Sequence, residues 1–148
     1  MRVDFVLLSI NISEKRGMRK HPVESTRLVE NHGLEGDAHA GEWPRQVSLL
    51  AEEEVERARL RAEARGASFD YYTENLTTRG IELSTLPIGT RLHIGDAVLE
   101  ITQIGKEEAS HYTLEENPRE YVNSRRGVFA RVLEGGTVTL QTRCHCLL

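Results

Sequence analysis

The sequence predicts a mainly β fold of the α+β class, in which a closed or nearly closed mixed β-barrel carries one main helix. Short runs rich in Val, Ile, Leu and Thr recur along the 148 residues, with Gly or Pro between them. A single stretch has helical spacing instead. Many short strands around one amphipathic segment are typical of a barrel. We expect one domain spanning residues 1–148, a normal length for one hydrophobic core.

Four segments carry the clearest strand signals. The first, from Val3 to Ile12, is largely apolar, as in a strand with much of its surface buried. Residues 23–29 are polar and β-branched, which suits a strand exposed on one face. Residues 91–94 and 97–104 flank Gly95-Asp96, and this spacing predicts a hairpin because glycine supplies the unusual φ of the turn.

The C-terminal alternation predicts one more strand. Polar residues separate Val138, Leu140, Thr142 and Cys144, so we expect these four side chains to share one face of a continuous strand.

The main helix is predicted from Glu52 to about Arg65. Three glutamates, at 52–54, occupy its first turn, where the helix dipole favours negative charge. Gly66 is well placed to end it. The later polar segment 107–126 contains Asn117-Pro118 and has no clean period. We interpret it as a loop that could hold a short helix between residues 112 and 122.

Composition excludes several classes of function. The formal net charge of −4 leaves no electrostatic footprint for nucleic acid. The apolar run from Phe5 to Leu8 is too short for a signal peptide or a membrane span. Two cysteines, both in the last five residues, do not make a disulfide framework. We therefore expect a cytoplasmic protein that binds neither nucleic acid nor membranes.

A glycine-rich loop is the strongest signal of a binding site. Residues 33–41 read Gly-Leu-Glu-Gly-Asp-Ala-His-Ala-Gly, and Arg45 follows at the start of a strand. Glycines allow a tight bend or the close approach of a ligand. Within this loop His39 can donate or accept hydrogen bonds, and the planar fork of Arg45 suits a phosphate or another oxyanion. The spacing of His32, Asp37 and His39 matches no standard zinc pattern, so we predict no metal site.

The loop resembles a motif of the MOSC domain, the C-terminal module of molybdenum cofactor sulfurases. Residues 9–13 look like the first strand of that family, and three further blocks follow in the family's order at 74–80, 86–95 and 127–133. The resemblance runs from about residue 6 to about residue 140. It implies a MOSC-like barrel with a site for the molybdenum cofactor, molybdopterin, at its mouth.

The family-like blocks, together with cations at the ends of segments, give six candidate cofactor-binding residues. They are His39, Arg45, Glu74, Asn75, Lys106 and Arg126. The amide of Asn75 offers donors and an acceptor that could recognise the edge of a pterin. Simpler interpretations stay open: His39 bonded to its own backbone, Arg45 in a surface ion pair with Glu42, and Glu74-Asn75 as an ordinary start of a strand.

Four cations on the loop around Gly17 have two interpretations. Their summed charge could attract a phosphate-bearing cofactor, or they could serve only to solubilise the loop. These cations are Lys15, Arg16, Arg19 and Lys20.

The chain departs from the family at one important position. After the strand predicted at residues 97–104, many MOSC domains carry a cysteine proposed to bear persulfide sulfur. The corresponding neighbourhood here, residues 107–112 around Glu108, contains no thiol. A carboxylate, hydroxyl or imidazole cannot carry sulfane sulfur as a thiolate can. The usual sulfur-transfer role therefore cannot be assigned to this segment.

The thiols of this chain are Cys144 and Cys146, which we take as the candidate catalytic residues. If the tail folds back to the barrel mouth, one of them could offer a substitute thiolate, with His145 lowering its pKa. They could instead be small core residues, or bind a soft metal together with His145.

As a whole, the resemblance predicts a protein that binds molybdenum cofactor and takes part in its sulfuration or handling. As an enzyme it would be a sulfur carrier or transferase, with a pyridoxal-phosphate cysteine desulfurase or a molybdoenzyme as a separate partner. This chain has no recognisable pyridoxal-phosphate motif. One alternative is a non-catalytic carrier or sensor that binds a pterin or an oxyanion. Another is molybdenum-dependent reduction of N-hydroxylated bases.

Overall fold

The structure is a computed structural model, which describes residues 1–61, 71–108 and 110–148. The described residues form eleven strands and two α-helices. The strands are β1 (Arg2–Ile12), β2 (His21–Pro22), β3 (Ser25–Val29), β4 (Gly33–Leu34), β5 (Val47–Ala51), β6 (Leu76–Arg79), β7 (Arg91–Ile94), β8 (Ala97–Ile104), β9 (Val128–Glu134), β10 (Gly136–Thr139) and β11 (Cys144–Leu147). The helices are α1 (Glu52–Arg61) and α2 (Pro118–Arg126).

Seven of these strands close into a barrel. Their order is β1-β6-β5-β9-β8-β7-β11, and β11 pairs with β1 to complete the ring. The pair β5–β6 is parallel, whereas the other neighbouring pairs are antiparallel. A smaller sheet, β10-β3-β4, lies beside the barrel. The predicted closed, mixed barrel is confirmed.

Alternating side chains fill the interior of the barrel. On β1, Phe5 and Leu7 are buried, while Val6 and Leu8, which alternate with them, are exposed, as the period of two in a strand requires. The other strands contribute Leu and Ile side chains to the same core. Outside the barrel, α1 buries its apolar side against β5 and α2. The helices therefore cover one side of a packed barrel.

The predicted hairpin is confirmed, and the predicted C-terminal strand is wrong. Gly95 has a φ of +60°, which a two-residue turn requires, and the strands on either side have the predicted limits. In contrast, β10 stops at Thr139 because a turn follows, in which the backbone N–H of Thr142 donates to the Thr139 carbonyl at 3.2 Å. Leu140 is therefore 41% exposed. Only β11, beyond this turn, belongs to the barrel.

Helix α1 agrees with the prediction as far as it is described, whereas α2 differs from it in position. Helix α1 begins at Glu52 as expected and is described to Arg61, and its predicted end, at residues 62–66, lies outside the described residues. Helix α2 begins at Pro118 because the Asn117 side chain caps it by accepting from the Glu120 N–H at 3.1 Å. Among the described residues, neither helix is long and apolar enough to cross a membrane.

Candidate functional site

A cavity of about 460 Å³ opens at the end of the barrel where β1 finishes. Its walls come from segments far apart in the sequence. They are the loop after β1, the glycine-rich loop, the beginnings of β5 and β6, the end of β8, and α2. The cavity therefore exists only because the barrel brings these segments together.

Four of the six predicted cofactor-binding residues line this cavity. They are His39, Arg45, Asn75 and Lys106. Glu74 is completely buried and Arg126 is exposed in the last turn of α2, and neither lines it.

Arg45 is held in place while leaving part of its guanidinium group available. Its Nε donates to Gln103 Oε1 at 3.2 Å, and its Cζ lies 5.0 Å from the centre of the Phe129 ring. Gln103 is fixed in turn, because its amide donates to the Gly105 carbonyl at 2.8 Å. Within the described residues the two terminal nitrogens of Arg45 make no hydrogen bond. They can therefore bind an anion through two parallel N–H groups.

Beside Arg45, a buried ion pair supports His39. The Lys20 ammonium lies 3.2 Å from Asp37 Oδ1 and 3.4 Å from His39 Nδ1. Burial is the largest cause that lowers the pKa of His39, and the charge of Lys20 lowers it further. His39 is therefore neutral at physiological pH.

Lys20 differs in its surroundings from the three neighbouring cations of the loop around Gly17. The other three are exposed, whereas the Lys20 side chain is only 9% exposed. Its place directly before β2 is the signal that distinguishes it, because strand pairing holds the backbone there.

Asn75 lines the cavity but mainly joins three strands. Its Oδ1 accepts from the backbone N–H of Ser48 at 2.9 Å and from the Ser48 hydroxyl at 3.2 Å. Its Nδ2 donates to the Asn11 carbonyl at 3.1 Å. The amide therefore has at most one hydrogen left for a ligand, less than the pterin-edge interpretation assumed.

Glu74 is part of a buried ionic cluster beneath the helices. Its Oε2 lies 2.6 Å from Nη1 of Arg119, and its Oε1 accepts two hydrogen bonds from Thr73. Arg119 also pairs with Glu52 of α1 at 2.7 Å. The cluster thus ties the beginning of β6 to both helices.

Aromatic residues that the sequence analysis did not select form much of the remaining wall. They are Trp43, Tyr71, Tyr72, Tyr112 and Phe129. The indole N–H of Trp43 donates to the His39 carbonyl at 2.9 Å, so this ring also fixes the loop that carries His39. Flat apolar faces next to cations suit a planar heterocycle with an anionic group.

The segment after β8, where the family's cysteine was expected, supplies the cavity with other chemistry. Glu108 is exposed and does not line the cavity, so its carboxylate takes no part in the site. Lys106 and Tyr112, on either side of it in the sequence, do line the cavity. This segment therefore contributes a cation and a phenol ring to the site, and no thiol.

The candidate catalytic thiols lie elsewhere. Cys144 and Cys146 are buried, and neither lines the cavity. Cys144 pairs with Phe5 in β1, whereas Ser13, which contacts His39, comes eight residues later. At ~3.3 Å per residue, Phe5 and Ser13 are about 26 Å apart along the strand. Among the described residues, no three His, Cys, Asp or Glu side chains form a metal site.

Burial also opposes ionisation of both thiols. It raises the pKa of Cys144 to about 12 and raises the pKa of Cys146 as well. Because the folded pKa exceeds the unfolded one, this burial stabilises the fold below about pH 9, and the contribution is lost as the pH rises towards 12.

We therefore expect Cys144 in the native protein at pH 8 to react much more slowly with dithionitrobenzoate than in urea, because burial raises the pKa of its thiol and shields it from the reagent. Released thionitrobenzoate reports the rate, and Cys146→Ala isolates the Cys144 signal. Rapid labelling of Cys144 in the folded protein would contradict the buried position.

Comparison with known proteins identifies the family. A family model described as the MOSC domain matches residues 36–143. The chain belongs to the MOSC domain family. This family is associated with molybdenum cofactor binding or sulfurase-related function. No curated protein matches the sequence.

Solved structures share the MOSC fold with this chain at low sequence identity. The YuaD protein from Bacillus subtilis has a TM-score of 0.69 and 16% identity, over 99% of this chain and 96% of that one. YiiM from Escherichia coli has a TM-score of 0.62 and 18% identity, over 100% and 70%. YiiM from Geobacillus stearothermophilus has a TM-score of 0.68 and 16% identity, over 97% and 75%. At such identities the likeness concerns the fold alone.

Proposed function

We propose that this MOSC protein binds molybdenum cofactor, or a related pterin or oxyanion, in the cavity at the barrel mouth and takes part in handling it. The observation that carries the proposal is the convergence of Lys20, Arg45 and Lys106 on one cavity with aromatic walls. The volume of about 460 Å³ lies within the range of small-molecule sites.

The residues of the cavity fit the chemistry of such a cofactor. An anionic group would meet the free guanidinium nitrogens of Arg45 and the Lys106 ammonium. A planar ring system would lie against Tyr71 or Tyr112. When bound, the cofactor supplies redox and group-transfer chemistry at its metal. The chain itself would bind and orient it.

The buried thiols favour a binding module over a sulfur-transferring enzyme. Sulfur transfer needs an accessible thiolate, and both Cys144 and Cys146 are buried at a distance from the cavity. We therefore propose a carrier or sensor, with a cysteine desulfurase or a molybdoenzyme as a separate partner. Incubation with a persulfide donor should add no sulfur to either cysteine by mass spectrometry, and loading of one sulfur atom would favour the enzyme instead.

Purification from a host that makes molybdenum cofactor should yield protein with about one molybdenum and one pterin per chain, because the site is built for both an anion and a ring. Elemental mass spectrometry measures the metal, and fluorescence after oxidation measures the pterin. A host unable to make the cofactor is the control. Folded protein that contains neither, and takes up none on titration, would contradict the proposed function.

A further inference from the structure

The hydrogen-bond partners of His39 determine which of its nitrogens carries the hydrogen. Its Nδ1 lies 3.4 Å from the Lys20 ammonium and 3.4 Å from the Ser13 hydroxyl. An ammonium group only donates hydrogen bonds, whereas a hydroxyl can donate or accept. A hydrogen on Nδ1 would therefore point at a cation, so Nδ1 must be the acceptor. In a neutral imidazole the hydrogen is then on Nε2.

We propose that Lys20 is a positioning residue that holds His39 as the neutral Nε2–H tautomer, so that His39 donates a hydrogen bond to a ligand oxygen and does not ligate metal. The inference rests on the proposed function in that it assigns the ligand chemistry of the same cavity: an oxyanion or carbonyl oxygen faces His39.

Lys20 is itself held firmly enough to act in this way. Its ammonium donates to Asp37 Oδ1 at 3.2 Å, and the side chains of Lys20 and Asp37 are 9% and 0% exposed. The same carboxylate oxygen accepts from the backbone N–H of Ser13 at 3.0 Å. The glycine-rich loop that carries Asp37 and His39 is joined to β1, because the Ala38 N–H donates to the Ser13 carbonyl at 2.7 Å. The two ring neighbours of His39 are therefore fixed relative to it.

The other side of the ring is available to a ligand. Nε2 lies across the imidazole from Nδ1, and it has no hydrogen-bond partner among residues 1–61, 71–108 and 110–148. His39 also lines the cavity. The inferred N–H group is thus a donor without an acceptor in the described part of the protein.

The charges around His39 oppose its protonation. Among the residues that the structure describes, the cations of Arg16, Lys20 and Lys106 disfavour an imidazolium there, whereas Asp37 favours it. A neutral ring with its hydrogen on Nε2 adds no positive charge beside these cations, accepts from Lys20 through Nδ1 and still contributes a donor to the cavity. A metal ion would require the Nε2 lone pair, which this tautomer lacks. The arrangement therefore selects oxygen acceptors.

Nitrogen-15 labelling of the six histidines tests the tautomer directly. In two-bond ¹H–¹⁵N correlation spectra at pH 7.5, His39 of the wild-type protein should show a bare Nδ1 and a protonated Nε2, with His39→Gln identifying the signals. In Lys20→Met, the midpoint of the His39 titration should rise, because a cation is lost while Asp37 remains. Lys20→Arg keeps a donor-only cation and should retain the wild-type tautomer.

Exposed Lys15 lies on the same loop, so Lys15→Met is the matched control and should leave the His39 spectrum unchanged. A hydrogen on Nδ1, or an imidazolium at pH 7.5, would overturn the inference in the wild-type protein itself. An identical tautomer and titration in a folded Lys20→Met variant would overturn the role of Lys20.

Titration with molybdate separates this inference from the proposed function. Lys20→Met should weaken molybdate binding by at least about tenfold, the effect of one charge-assisted hydrogen bond, and Lys15→Met should not. The Nε2–H tautomer in a protein that binds neither molybdate nor the cofactor would support the role of Lys20 and contradict the proposed function. Binding of molybdate or the cofactor by a protein whose His39 carries its hydrogen on Nδ1 would support the proposed function and contradict the role of Lys20.

Discussion

Replacing Arg119 with Leu is expected to lower the free energy of unfolding by about 3–5 kcal/mol, because a buried ion pair that loses one partner leaves an uncompensated charge. Arg119 is the cation between Glu74, which is fully buried, and Glu52, which is largely buried. Without it, two carboxylates face each other where β6 meets the helices. Urea denaturation followed by circular dichroism measures the loss.

An exposed pair in the same protein provides the matched control. Arg79 pairs with Glu56 at the surface, with side-chain exposures of 43% and 48%. Arg79→Leu should cost far less than Arg119→Leu, since solvent screens such pairs. Equal losses for the two variants would show that the buried cluster has no special part in stability.

Replacing Arg45 with Ala should weaken binding of an anionic cofactor or molybdate by about 1.5–3 kcal/mol, the range for a hydrogen bond to a charged group. Arg45→Lys should recover only part of the affinity, because an ammonium cannot reproduce two parallel N–H groups. Isothermal titration calorimetry measures the difference. Arg91, which is exposed on β7 and does not line the cavity, gives the control variant Arg91→Ala. The same affinity in Arg45→Ala and wild type would show that Arg45 does not contact the ligand.

The sequence predicted those parts of the fold that local chemistry determines. Gly95 marks a two-residue hairpin because of its φ, and three glutamates mark the start of α1 because of the helix dipole. The break after Thr139 was missed because the period of two continues through the turn into β11. Asn117-Pro118 was taken for a loop signal, although the same pair serves as the cap and first residue of α2.

The candidate site was predictable where a motif marks a loop and less so where the fold decides orientation. His39 and Arg45 both line the cavity, as their place in the glycine-rich segment suggested. Sequence alone did not show that Asn75 faces the cavity while Glu74 faces the helices, because the two residues lie in a bend directly before β6. The distance between the thiols and the cavity depends on the pairing of β11 with β1, which only tertiary structure specifies.

The pairing of β1 with β11 also affects the order in which the barrel folds and the positions at which a tag can be attached. The N-terminal ammonium donates to the carbonyl of Leu148, across 147 positions of sequence. Contacts between such distant segments form slowly because of the entropy of closing a long loop, so we expect the barrel to close late in folding. Both termini meet at the end of the barrel opposite the cavity. A tag or tether attached to either one would therefore leave the mouth open to its ligand.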